Sequence, residues 1–219
     1  MKTTRLFLHL STKRKQKVAA AAAAKSRKPS ALAGSIAMLA ASAFMLGSAP
    51  EAKAANRFWD PLFSGTATGG GPGSWDNLTT ANWYNGVADV TWDNSALDIA
   101  FFGGTAGGAV TLGGPITAGG LTFTTSGYNI TGSTLTLTPP TGVSAPNINV
   151  VGIGTRSAID SILAGSNGFI KTGDGVLVLT NSSNSYTGIT QVNQGTLVIS
   201  SGAQLGGSTL LAEIGRAHV

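Results

Sequence analysis

Cysteine is absent from the 219 residues, and histidine occurs only as His9 and His218. Without thiols there is no disulfide framework and no thiolate metal site. With imidazoles only near the two ends, the middle of the chain cannot supply a Ser-His-Asp triad or a His-ligated metal. Positive charge is also scarce once the first 54 residues are set aside. Nine of the 14 basic residues lie between Lys2 and Lys28, and from Ala55 onward only Arg57, Arg156, Lys171 and Arg216 remain. They face Asp60, Asp76, Asp89, Asp93, Asp98, Asp160, Asp174 and Glu213, so four positive against eight negative charges leave −4. The overall charge of +5 is therefore misleading. Nucleic acid as a partner is excluded, because that partner needs a basic footprint on the folded part. Helical periodicity is missing as well: after Ala55 no stretch keeps apolar residues at helical spacing over three turns.

What is present falls into four blocks. Residues 1–54 read as an export signal with an extended basic n-region, including Lys13, Arg14, Lys15, Lys17, Lys25, Arg27 and Lys28. Residues 31–46 are uncharged and apolar, and Ala52-Lys53-Ala54 places small residues at the −3 and −1 positions of a signal-peptidase site. Cleavage after Ala54 is expected, with the export machinery and signal peptidase as partners. The rival reading is a membrane anchor over residues 30–49. That stretch is dominated by Ala, Gly and Ser, and its apolar core is shorter than the ~20 strongly apolar residues a span needs.

Beyond the signal, apolar and small polar residues alternate with period two. Leu121-Thr122-Phe123-Thr124, Leu135-Thr136-Leu137-Thr138, Ile148-Asn149-Val150 and Leu177-Val178-Leu179-Thr180 show it, as does Leu197-Val198-Ile199-Ser200. Glycine pairs such as Gly103-Gly104 and Gly119-Gly120 punctuate these runs. Short strands with frequent turns mean an all-β protein. Residues 167–181 overlay residues 187–201 with a shift of 20, placing Gly168 on Gly188, Gly175 on Gly195, Leu177 on Leu197 and Val178 on Val198. A period near 20 fits one coil of a right-handed parallel β-helix, a solenoid in which like residues stack along the axis. Leu177 and Leu197 are expected inside it and Thr180 outside. The β-helix repeats are assigned to residues 98–211.

Residues 55–97 differ. They hold all four tryptophans, Trp59, Trp75, Trp83 and Trp92. A solenoid needs cover over its terminal core, and large aromatics suit that role, so this block reads as a Trp-rich N-terminal cap. The alternative is a carbohydrate-binding face, since exposed indoles stack on sugar rings. The remaining candidates for chemistry are thin. Asp89 with Asp93, or Asp93 with Asp98, could serve glycoside hydrolysis or calcium, but nothing in the spacing makes them converge. Gly69-Gly70-Gly71-Pro72-Gly73 lacks the Lys-Ser/Thr of a phosphate loop. No catalytic, cofactor-binding or metal residue is assigned, and no cofactor is expected.

Several motifs together carry a resemblance. Phe58-Trp59-Asp60-Pro61, Gly73-Ser74-Trp75-Asp76, Ala81-Asn82-Trp83 and Asp98-Ile99-Ala100-Phe101-Phe102 resemble the opening of autotransporter-associated β-strand repeat proteins. The repeat unit itself is similar to Gly168-Phe169-Ile170-Lys171-Thr172-Gly173-Asp174-Gly175, followed by Asn184-Ser185-Tyr186-Thr187-Gly188 and Gly195-Thr196-Leu197. The resemblance implies a β-helical passenger that is exported and then displayed at the cell surface or released. It also implies an outer-membrane barrel or sorting anchor C-terminal to the passenger, which is not visible here. No catalytic residue comes with it. Residues 212–219 break the texture, and Glu213-Ile214-Gly215-Arg216-Ala217-His218-Val219 resembles a translated sequencing adapter, so the tail is expected to be artefactual and the chain truncated. Two functional classes remain. One is a structural or adhesive surface passenger, with surface polysaccharide or other cell-surface components as partners. The other is a polysaccharide-binding or polysaccharide-degrading β-helix, which would cluster Asp with Lys or Arg on an outer face. Only Arg156 and Lys171 could supply the cations.

Overall fold

Period-two alternation gives each short segment one face to bury and one to expose, and a coiled chain buries the first face on every turn. The computed structural model describes residues 54–212. The signal region, the stretch 30–49 weighed as an anchor, and the tail after residue 212 lie outside the described residues. The chain enters with β1 (Asn56–Trp59) and β2 (Gly73–Trp75), then forms a small hairpin of β3 (Trp83–Tyr84) and β4 (Asp89–Val90). Three coils with three strands each come after it. They are β5 (Ile99–Phe102), β6 (Ala109–Leu112) and β7 (Ile116–Ala118); β8 (Gly120–Phe123), β9 (Asn129–Gly132) and β10 (Leu135–Leu137); and β11 (Asn147–Val150), β12 (Arg156–Ile159) and β13 (Leu163–Ala164). Two coils with two strands come next: β14 (Phe169–Thr172) with β15 (Val176–Leu179), and β16 (Thr187–Val192) with β17 (Thr196–Val198). A 3-10 turn at Gly202–Leu205 leads to β18 (Gly207–Ala212).

These strands stack into three sheets. The first runs β18-β16-β14-β11-β8-β5-β1-β3-β4, the second β17-β15-β12-β9-β6-β2, and the third β13-β10-β7. Every pairing is parallel except β1 with β3 and β3 with β4. This is a parallel β-helix, and the all-β expectation holds. Inward residues form ladders along the axis. In the second sheet Val110, Ile130, Ile159 and Leu179 stand in register, and in the third Ile116, Leu135 and Leu163 do so, all of them buried. Each such side chain contributes roughly 1.5–3 kcal/mol of burial.

The coil period varies by face. Leu177 opposes Leu197 and Val178 opposes Val198, the shift of 20 read from the sequence. In the first sheet, however, Phe169 opposes Thr190, a shift of 21. Gly168 therefore lies against Ile189 and not Gly188. The cause is one extra residue at a corner: four residues separate Lys171 from Val176, but three separate Val192 from Thr196. Gly168 has a φ of +63°, and a Cβ there would run into the Ile189 carbonyl, so only glycine suits this corner. Farther up, the shift from Gly120 to Asn147 is 27, because residues 138–146 form a longer loop outside the coil.

At the N-terminal end, β1 and β2 already belong to the first and second sheets, and the β3–β4 hairpin turns antiparallel to close the first sheet. The four tryptophans converge there, each at most 1% exposed. The Trp83 ring lies 5.1 Å from Trp59, 4.9 Å from Trp75 and 4.7 Å from Trp92, measured between centroids. Phe102 packs beneath them and stacks on Phe123 at 5.0 Å, which carries the aromatic cluster into the first ladders.

Candidate functional site

Burial removes the four tryptophans as a platform for sugars. Trp59 donates its indole N–H to the Gly71 carbonyl at 2.9 Å, and Trp92 donates to Thr117 at 3.0 Å. Trp75 and Trp83 have no oxygen partner for their indole N–H groups. Their rings instead meet neighbouring indoles edge-on, at 61° between each other and 79° between Trp75 and Trp92. Ring quadrupoles favour that arrangement. The glycine run serves this cluster. Gly70 N–H donates to Trp59 and Gly71 N–H to Ala106, so those amides face protein carbonyls and not an anion.

The aspartates considered for paired chemistry are each engaged separately. Asp98, 4% exposed, accepts the Ala55 backbone N–H on Oδ1 and the Arg57 Nε–H on Oδ2, both at 2.6 Å. Asp93 is exposed and accepts the N–H and hydroxyl of Ser95, bonds that hold its carboxyl below the usual range. Asp89, on β4, neighbours Asp60 instead. Burial first, then the Asp60 charge, pushes the Asp89 carboxyl up, and its Oδ1 is buried without a partner. Asp60 is fully buried. Burial alone would raise its carboxyl, but hydrogen bonds from Ser64, Thr66 and Gly65 outweigh that and hold it low. The structure thus brings together Asp60 and Asp89, a pair that the sequence does not single out. The two are distant in sequence and meet only because the hairpin folds back on β1. Among the described residues no three His, Cys, Asp or Glu side chains gather to hold a metal ion.

Lys171 requires a correction. The sequence offers it as a cation for an outer face, but it points inward and is 0% exposed. In its ladder it stands between Ile148 and Val192. Its ammonium donates to the carbonyls of Thr172 at 2.8 Å, Gly173 at 2.7 Å and Gln194 at 3.2 Å. Three donors thus meet three acceptors at the corner shared by two coils, the arrangement a buried charge requires. Burial lowers its pKa to about 8, opposed by the exposed Asp174 carboxylate. Alternation places Lys171 on the same side as Phe169, and that was the available signal. Arg156 remains the exposed cation of the coils, and it sits alone on its strand.

On the outer face of the first sheet, a groove of about 330 Å³ runs beside the long loop. Ile170 and Ile189 line it together with Ser144, Ala145, Asn167 and Gln191. No lining residue is ionisable, so the groove can offer hydroxyl and amide contacts but no general acid or base.

The passenger-associated transport repeat family matches residues 169–199. That segment is similar to one passenger repeat. In this repeat, β14 to β17 form two successive coils, with Lys171 at their shared corner and Leu177 stacked on Leu197. The adhesin BmaC autotransporter of Brucella suis biovar 1 (strain 1330) is 47% identical over 164 residues, which cover 72% of this chain and 4% of that protein. The chain therefore corresponds to a small part of the curated relative it matches. No solved structure matches the chain. The resemblance to β-strand repeat passengers, read from the Trp and Gly motifs, holds.

Proposed function

We propose that this chain is part of an exported passenger, displayed at or released from the surface of a Gram-negative-type bacterium, with a structural or adhesive role and no catalysis of its own. The observation that carries this reading is the passenger-type repeat folded as stacked coils, in a chain that is 47% identical over 164 residues to a small part of an adhesin autotransporter. A parallel β-helix is a stiff rod that sets contacts at fixed spacing. The absence of ionisable residues from the outer groove fits presentation better than hydrolysis. Export proceeds through cleavage after Ala54 by signal peptidase. A membrane barrel or anchor elsewhere in the full-length protein would hold the passenger outside. The test is antibody labelling of intact cells, with adhesion scored in parent and deletion strains. Surface labelling together with reduced adhesion in the deletion strain supports the reading; label confined to lysed cells overturns it.

A second reading is polysaccharide binding, favoured by the uncharged groove at Ile170, Ile189 and Gln191. Neutral glycans would fit it better than acidic ones, since the groove has no cation to meet a carboxylate. Binding of acidic but not neutral polysaccharides would count against that site.

A further inference from the structure

Asp98 is nearly buried, yet its two oxygens are arranged unequally. Oδ2 faces a full charge, the Arg57 guanidinium, at 2.6 Å. Oδ1 faces the backbone nitrogen of Ala55, also at 2.6 Å. Ala55 is the residue directly after the signal-peptidase motif Ala52-Lys53-Ala54. Its position is fixed from the other side too, because its carbonyl accepts the Ile99 N–H at 2.8 Å. The first rung of the first sheet is thus pinned at Ala55, one bond past the expected cleavage point.

We propose that signal cleavage completes an ion pair: the new α-ammonium of Ala55 docks on Asp98 and locks the first coil of the β-helix. The inference rests on the cleavage reading above. Water adds across the Ala54–Ala55 peptide bond; Ala54 leaves with the carboxylate, and Ala55 keeps the amine, which takes up a proton. A neutral amide with one N–H becomes a cation with three. The Asp98 carboxylate then has a positive group on each oxygen, so the bond on Oδ1, until then charged only on the acceptor side, becomes an ion pair like the one on Oδ2. The charged groups around the new terminus are Arg57 and Asp98, with Asp93 near enough to Arg57 to feel its charge. Processing is thereby coupled to folding. The precursor has the weaker contact, and the processed chain gains the stronger one at the strand that begins the longest sheet.

The test uses processed protein recovered from the exporting cell and full-length precursor from cytoplasmic expression. N-terminal sequencing reads the cleavage point by itself. A start other than Ala55 overturns the cleavage reading and this inference with it, and is distinguishable from a failure of docking alone. With Ala55 confirmed, the processed protein is divided and one half is acetylated selectively at its α-amine. Hydrogen exchange is then measured at the amides of residues 56–59 and 99–102. Exchange there should be about tenfold slower with the free amine than in the acetylated protein or the precursor, a ratio equivalent to about 1.4 kcal/mol from the added charge on the donor. Asp98→Asn should erase the difference made by acetylation. Equal exchange in free and acetylated protein would overturn the proposal. That comparison needs no variant, so it stands even if Asp98→Asn fails to fold.

Discussion

The N-terminal coil with its hairpin and the coils from β14 onward solve one problem in different ways. Both must keep a core dry at one level of a tube. The later coils use repetition: Leu177 sits on Leu197, and the same strand of each coil supplies the same kind of side chain. Among the described residues, the first level has no preceding coil to stack on. It fills the space with four indoles of unlike orientation and folds an antiparallel hairpin across the sheet edge. Repetition makes the coils simple in sequence and tolerant of length, as the longer loop before β11 shows. The terminal level is dense, irregular and specific to its position.

The largest expected effect tests the repeating region. Leu177→Asp places an unpaired carboxylate between stacked leucines and should cost at least ~4 kcal/mol, enough to prevent a cooperative transition in denaturant. Thr180→Asp lies on the exposed side, where the Thr180 hydroxyl now donates to Asp160 at 2.7 Å. A second carboxylate there repels Asp160 in water, at a cost of about 1 kcal/mol. Equal losses at the two positions would mean that the inner and outer faces are wrongly assigned.

Much of this region was legible because its rule is local. Alternation in Leu121-Thr122-Phe123 or Leu135-Thr136-Leu137 names the inward residues without knowledge of the fold. The shift of 20 gives the stacking partner of Leu177. The failure at Gly168 is instructive: an overlay of sequence copies assumes a constant coil, while corners add or drop a residue independently of strands. Lys171 is misplaced when its charge is given more weight than its alternation with Phe169. The terminal level was legible only as a density of tryptophans. Asp60 meets Asp89 because β3 and β4 fold back on β1, and Asp98 meets Arg57 because β5 runs parallel to β1, so neither pair had a signature in spacing.

The terminal level is tested by Trp83→Ala. Trp83 touches Trp59, Trp75, Trp92 and Phe102, so its loss opens the centre of the cluster. The cost should be roughly 3–5 kcal/mol. If the two regions are separable, hydrogen exchange will rise in β1 to β4 while β15 and β17 stay protected. Uniform loss of protection would show that one cooperative unit spans both.

Titration separates them further. In the coils, the pKa of Lys171 is lowered from 10.5 to about 8. A lowered lysine means that the folded chain releases its proton before the unfolded chain does. Between pH 8 and 10.5 the unfolded state holds more protons, so this group makes stability rise with pH across that window. The gain should be about 1–3 kcal/mol, after allowance for solvent screening. Lys171→Met should lack it, as read from denaturation midpoints at pH 7.5, 9 and 10.5. The comparison with the variant is needed because burial raises Tyr128 to about 12, which lowers stability once unfolded tyrosines ionise. Identical pH slopes in both proteins would show that Lys171 titrates as an ordinary lysine.

The smallest effect lies in the hairpin and has the opposite sign. Burial and the neighbouring Asp60 raise the Asp89 carboxyl above 3.8. A raised acid favours its neutral form when folded, so its contribution is greatest at low pH and is lost as pH rises from 3.8 through the folded value. Once ionised, Asp89 sits beside the Asp60 charge, and Arg57 is engaged with Asp98 instead. Asp89→Asn keeps the shape, removes the repulsion and supplies a donor that can reach Asp60. Asp89 is only partly buried, so solvent screens most of the gain. The variant should melt about a degree or two higher at pH 7 and no higher at pH 3, where the parent is already neutral at this position. Hydrogen exchange should place the added protection in β3 and β4 and leave the later coils unchanged. A lower melting temperature at pH 7 would mean that the ionised Asp89 is balanced by its surroundings, and that the hairpin closes the sheet without electrostatic cost.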